Sequence, residues 1–202
     1  MRLRSLAIAT ILVPALVWVA PQASADSAQP GQSMTHMKTA PGLAAALEGA
    51  GVVVYSQGGA TSAVMGESIA AEDGQVVFHI PITSTKKGIK HAGSTLVLFH
   101  TGSQKQVQLR NPVIDLNKGV ISASIPQAGG KPLPVLTITN AKTLKPSVAI
   151  DDATGIRTTT YAGAKLALAP GVAATLATLL ELPEGALADK ASFGTADVSL
   201  KG

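Results

Sequence analysis

The side chains best able to do chemistry in this chain are few. His79, His91 and His100 fall in one segment, and His36 sits in Met34-Thr35-His36-Met37, where thioethers flank an imidazole. Imidazole is the commonest side-chain metal ligand, and its pairing with thioethers favours copper. The spacing of His79, His91 and His100 matches neither a helix nor a zinc knuckle. Those three rings could meet only across neighbouring strands. No third and fourth ligand is evident, so the imidazoles read as structural or surface groups and no metal site is assigned. His91 lies in Gly88-Ile89-Lys90-His91-Ala92-Gly93, a glycine-flanked turn that should leave it exposed and reachable. His100 ends an apolar run and reads as a hydrogen-bonded edge residue. Tyr55 and Tyr161 offer phenolates, which can ligate haem iron with a histidine assisting; otherwise each is a half-buried strand residue.

Other reaction chemistries find little support. There is no G-x-S-x-G elbow for a serine nucleophile. With no cysteine at all, thiolate zinc sites, thioether haem attachment and a cysteine nucleophile are excluded. Asp151-Asp152, ahead of Ala153-Thr154-Gly155, and Glu72-Asp73-Gly74 read as turns, without the alternating oxygen ligands of a calcium loop. Lys86-Lys87 and Lys90 make a basic, solvated turn with a minor capacity for polyanions. No catalytic residue is assigned, and the chain is expected not to be an enzyme.

The elements that must position these groups are mostly strands. From Val76 to Ile125 the apolar residues recur with period two. Leu96, Leu98 and His100 share one face and Val97 and Phe99 the other; Val107 and Leu109 point inward while Gln106, Gln108 and Arg110 face solvent. Asn117-Lys118-Gly119 and Gln127-Ala128-Gly129-Gly130-Lys131 are hairpin-sized breaks. Further strands are expected at 51–56, 61–70, 75–82, 133–139, 156–161, 164–168 and 193–200. Pro41 to Glu48 suits a short helix. The period changes after Pro170, where Val172, Leu176, Leu179 and Leu180 form one helical stripe that ends before Pro183. An isolated hairpin is marginal in water. The fold class is therefore mainly β, an antiparallel two-layer sandwich or partly open barrel with one short C-terminal helix.

Composition gives an address. Arg2 and Arg4 precede an apolar run, Leu6 to Val19, and Ala23-Ser24-Ala25 is a small-x-small cleavage site. Residues 1–25 read as a secretory signal peptide; the run is short for a membrane span and contains Pro14. Residues 26–40 are polar and small, the composition of a flexible linker. Residues 41–202 then form a single β-rich domain. Losing Arg2 and Arg4 lowers the formal charge from +4 to about +2, so the basic pI overstates the mature charge. Scattered basic residues with few aromatics make no nucleic-acid footprint. No membrane span is expected after the leader.

The order Phe78-His79-Ile80-Pro81-Ile82, Gly88-Ile89-Lys90-His91-Ala92-Gly93, Leu109-Arg110-Asn111-Pro112-Val113-Ile114-Asp115, the run from Leu166 to Leu176 and Phe193-Gly194-Thr195-Ala196-Asp197-Val198 resembles the HtaA-type domain of secreted and surface proteins of actinobacteria. That resemblance implies an extracellular β-rich fold. Its best-known members bind haem through a tyrosine in an early tryptophan-containing segment and a histidine in a glycine-led turn. His91 matches the histidine; the early tryptophan motif is absent, and Tyr55 lies in the corresponding half of the chain. The expectation is a secreted or cell-wall-associated, non-catalytic binding module, with His91 and Tyr55 as its candidate haem ligands and an envelope or extracellular macromolecule as a candidate partner. The alternative is a structural or adhesive extracellular protein without a small-molecule ligand.

Overall fold

A computed structural model of the chain describes residues 32–65, 74–183 and 185–202. The expected leader at 1–25, residues 26–31 and the Glu72-Asp73 corner lie outside the described residues. So does the second half of the strand expected at 61–70.

The first described element corrects the linker expected at 26–40. Met34–Thr39 is strand β1, hydrogen-bonded on both edges. Composition suggested a loose arm, but M-T-H-M-K-T alternates. Thr35, Met37 and Thr39 are buried on the inner face, and His36 and Lys38 stand exposed on the outer one. Every backbone group of a central strand is paired, which outweighs the weak propensity of its residues. A short helix α1 (Leu43–Gly49) follows, one residue off its expected end.

Next come β2 (Val52–Gly58), β3 (Thr61–Met65), β4 (Gln75–Pro81), the two-residue β5 (Ile89–Lys90), β6 (Ser94–His100), β7 (Lys105–Asp115), β8 (Val120–Ser124) and β9 (Pro132–Ile138). β10 (Pro146–Ile150) was not anticipated, because its five residues are all exposed and show no inward stripe. β11 (Arg157–Leu168) joins two expected strands through a bulge at Ala162-Gly163. Helix α2 (Val172–Leu180) and β12 (Ser192–Lys201) complete the chain. Among the described residues no helix is long and apolar enough to cross a membrane.

All pairings are antiparallel, and the sheet runs β2-β6-β7-β8-β9-β11-β12-β1-β4-β3. Its two edge strands are consecutive in sequence and are brought together by the tight link at Gly58-Gly59-Ala60. Across that seam Ser56 Oγ donates to Ser62 Oγ at 3.1 Å. The result is a nearly closed barrel, which settles the choice between sandwich and barrel. Gly58 is required at the seam. It has a positive φ, and a Cβ there would stand 2.0 Å from the Gly93 carbonyl oxygen.

The inner faces form one core that includes Phe78, Leu98, Val107, Ile125, Leu166 and Val198. The expected inward and outward sets on β6 and β7 hold, except that Gln108 on the outer face is covered as well. Because neighbours are antiparallel, the two helix-bearing connections, β1 to β2 and β11 to β12, fall at the same end of the barrel. α2 buries Val172, Leu176 and Leu180 there. The opposite end is covered by the segment from Ile82 to Gly93, which carries β5 and His91 and pairs with β7 through Ile89↔Ile114 and Lys90↔Val113.

Candidate functional site

His91 is the residue the sequence picks out most strongly, and its position corrects the expectation of a reachable ring. It is 1% exposed. β7 carries a bulge where Asn111 takes a positive φ, with a register shift between Arg110 and Val113. This frees the Pro112 carbonyl from the ladder to accept the backbone N–H of His91 at 3.0 Å and its ring Nδ1–H at 3.0 Å. A carbonyl can only accept, so Nδ1 carries the proton. Nε2 is then the lone-pair nitrogen, and it accepts from the buried Thr35 hydroxyl at 2.8 Å. Burial holds the His91 pKa below 6.5, against a smaller upward pull from the Pro112 hydrogen bond. The neutral ring is a two-sided structural tie between β1 and β7.

Tyr55 is not brought to His91. It pairs with Val97 on β6, and Val97 pairs with Gln108 on β7, all on the outer face. His91 shares an interior cavity with Leu96 and Leu109, which belong to the inner face of those same strands. The barrel wall separates the phenol from the imidazole, so the pair cannot ligate one iron. That cavity measures about 30 Å³, little more than one water's share of liquid, whereas small-molecule sites run to roughly 300–1,000 Å³. The interior is packed with side chains, as narrow barrels are.

The other histidines divide. His100, at the helix-capped end, directs Nδ1 to the Leu180 carbonyl at 2.9 Å and Ser103 Oγ at 2.8 Å. It fastens the end of α2 to the β6–β7 turn, in keeping with its reading as an edge residue. His79 lies next to neither His91 nor His100. It stands directly opposite His36, β4 against β1, on the outer face. Tyr161 sits opposite Val198 and packs partly against the core. Asp151 is a turn residue as expected, accepting from the Ala153 and Thr154 N–H groups and the Thr154 hydroxyl.

The outer face of β4, β1, β12 and β11 gathers what remains. Alternation puts His36 and Lys38 on it from β1, His79 from β4, Thr195 and Asp197 from β12, and Lys165 from β11. One cross-strand row reads His79, His36, Asp197; the next reads Val77, Lys38, Thr195, Lys165. Beside the second row lies an open groove of about 580 Å³, edged by Lys38, Lys165 and Lys190, with Thr139, Ser192 and Thr195 supplying hydroxyls. Among the described residues no acidic residue lines it. Among the described residues the ion pairs are Lys105 with Glu181 and Lys118 with Asp115, neither of them in the groove.

The groove depends on close strand approach. Gly194 of β12 sits against Lys38 of β1 with φ +147°, and a Cβ there would be 1.9 Å from the Lys38 carbonyl oxygen. Sequence reasoning missed these lysines because they are far apart in the chain. The usable signal was the H-x-K alternation in β1, masked by its linker-like composition. Comparison with protein-family models, with curated proteins and with solved structures found no match.

Proposed function

We propose that this chain is a non-catalytic, extracellular binding module that holds an anionic polymer of the envelope or matrix against the outer face of its barrel. The observation that carries this reading is the groove edged by Lys38, Lys165 and Lys190, of ligand size and with no acidic residue among the described residues of its lining. Exposed ammonium groups around a concave surface reinforce one another's field and attract polyanions at a distance. Hydroxyls beside them supply the polar contacts that orient phosphate or carboxylate groups. The packed interior favours an external ligand over an enclosed one. The export signal and the HtaA-type resemblance read in the sequence support the location outside the cell.

Retention on an immobilised polyphosphodiester or polyuronate tests this. Lys38→Glu and Lys165→Glu should each weaken binding by about threefold, the scale of one exposed charge contact, and together more than either alone. Retention should fall with added salt. Lys87→Glu, in the turn at the barrel's other end, serves as the control. Equal retention of the double variant and the parent would sink the reading.

A second reading, a structural or adhesive protein, has one observation in its favour. The β10–β11 hairpin leaves Val148 51% and Ile150 64% exposed, and among the described residues β10 pairs only with β11. An unpaired edge with exposed apolar residues is a template for another strand. Loss of surface attachment on Val148→Lys and Ile150→Lys, with polyanion retention intact, would favour it.

A further inference from the structure

We propose that His36 and His79 form a two-imidazole clamp for a transition-metal ion on the outer face, with Cu(II) the preferred ion. The inference stands apart from the anion-binding reading, since it uses the neighbouring row of the sheet and different chemistry.

The geometry comes first. His36 and His79 are a directly opposed cross-strand pair, so the backbone of two adjacent strands fixes their separation. Their Nδ1 atoms lie 2.7 Å apart. The rings are 87° to one another, with centroids 4.7 Å apart. Two imidazoles bound to one metal at nitrogen–metal distances near 2.0–2.1 Å, in adjacent positions at about 90°, place their nitrogens about 2.9 Å apart and their centroids about 4.5 Å apart. A tetrahedral angle would spread the centroids to about 5.2 Å. The observed centroid separation lies nearer the right-angled arrangement. A few tenths of an ångström at the nitrogens, supplied by small rotations of the exposed His36 and half-buried His79 rings, completes it. Adjacent right-angled positions belong to the tetragonal sites of Cu(II) and Ni(II), and Cu(II) binds a given nitrogen set most tightly among the divalent first-row ions.

The surroundings agree. Asp197 is the next residue in the row, opposite His36, and its Oδ1 accepts the Gly163 N–H at 2.6 Å. That bond anchors a carboxylate whose charge offsets a cation held at His36. Among the described residues no three His, Asp or Glu side chains converge as a ready-made metal cage. The clamp therefore supplies two protein ligands and leaves the remaining positions to solvent or to a ligand brought by a partner. Such a site is open and exchangeable rather than structural.

The test is titration of the full chain with glycine-buffered Cu(II), followed by calorimetry and by electron paramagnetic resonance. The expected result is one Cu(II) with an axial signal and hyperfine structure from two nitrogens. His36→Gln and His79→Gln should each lower the affinity by about tenfold or more. The double variant should lose the two-nitrogen signature while its melting temperature stays near that of the parent. Absence of stoichiometric binding would overturn the proposal, and so would an unchanged spectrum and affinity in the double variant. A preference for Zn(II) over Cu(II) would overturn the right-angled geometry on which it rests.

Discussion

His91 and the His36–His79 pair set the same side chain in opposite circumstances. His91 faces inward, and both its nitrogens are satisfied: Nδ1–H by a backbone carbonyl that can only accept, and Nε2 by a hydroxyl that therefore donates. His36 and His79 face outward with nitrogens that meet each other. In the first case the polar atoms are spent on holding two strands, and nothing is left for a ligand. In the second, the strands hold two ring nitrogens that share one hydrogen bond on the surface, where a metal ion can take the place of the proton between them. The difference teaches that a histidine's availability is set by its partners, not by the glycine-rich or apolar character of its neighbours in sequence.

The largest test of this contrast removes the rings one at a time. His91→Ala should destabilise the fold by about 3 kcal/mol, since it opens a buried cavity and strands the Thr35 hydroxyl, while the Pro112 carbonyl keeps the His91 backbone N–H. His36→Ala should change stability by no more than about 0.5 kcal/mol. Urea denaturation of both variants checks the difference, and equal losses would break the comparison. Gly194→Ala comes next. A Cβ pressed on the Lys38 carbonyl at that φ should cost about 2 kcal/mol and loosen β1 from β12, impairing the lysine groove and the histidine pair together.

Acid sharpens the comparison further. The folded His91 pKa lies below its ordinary value, because burial disfavours the charged ring. The unfolded chain therefore binds the proton more readily. Stability is fully present above about pH 6.5 and falls as the pH drops through that value toward the folded pKa. His36 is shifted in the same direction, first by burial and then by the charge of His79, with Asp197 opposing. Stability measured between pH 7.5 and 5 should fall for the parent and fall less steeply for His91→Gln, with His36 contributing to the slope that remains. A steeper slope in His91→Gln would contradict the assignment of a neutral buried ring.

Two smaller effects close the series. Ser94, next to the His91 turn, buries a hydroxyl that has no hydrogen-bond partner among the described residues. Ser94→Ala should be neutral or stabilising by about 0.5–1 kcal/mol in thermal unfolding, since it removes an unpaired polar atom without opening much space. Hemin should show no dependence on the buried ring at all. Its Soret band in the presence of the parent and of His91→Gln should coincide.

Much of the fold was legible along the chain. The alternation of Leu96, Leu98, Val107 and Leu109 marks the inner face because a strand's side chains repeat every two residues. The Val172–Leu180 stripe marks a helix because its period is 3.6. β1 was not legible, since Ser, Gln and Thr around it carry a linker's composition and its pairing partners lie 39 residues away or more. β10 escaped because an exposed strand has no apolar stripe to betray it. Of the site, His36, Lys38, His79 and Lys165 were visible only as separate polar residues, and the glycine-flanked turn at His91 suggested an exposed ring that the barrel in fact buries.

What the sequence determined by itself was local: period, turn positions and a cysteine-free chemistry, all consequences of neighbouring residues acting on a short stretch of backbone. Register and face were decided only in three dimensions. One residue's slip between β1 and β4 would part His36 from His79 and turn Lys38 into the core. Hydrogen bonds between strands distant in the chain fix that choice, and no local pattern encodes it.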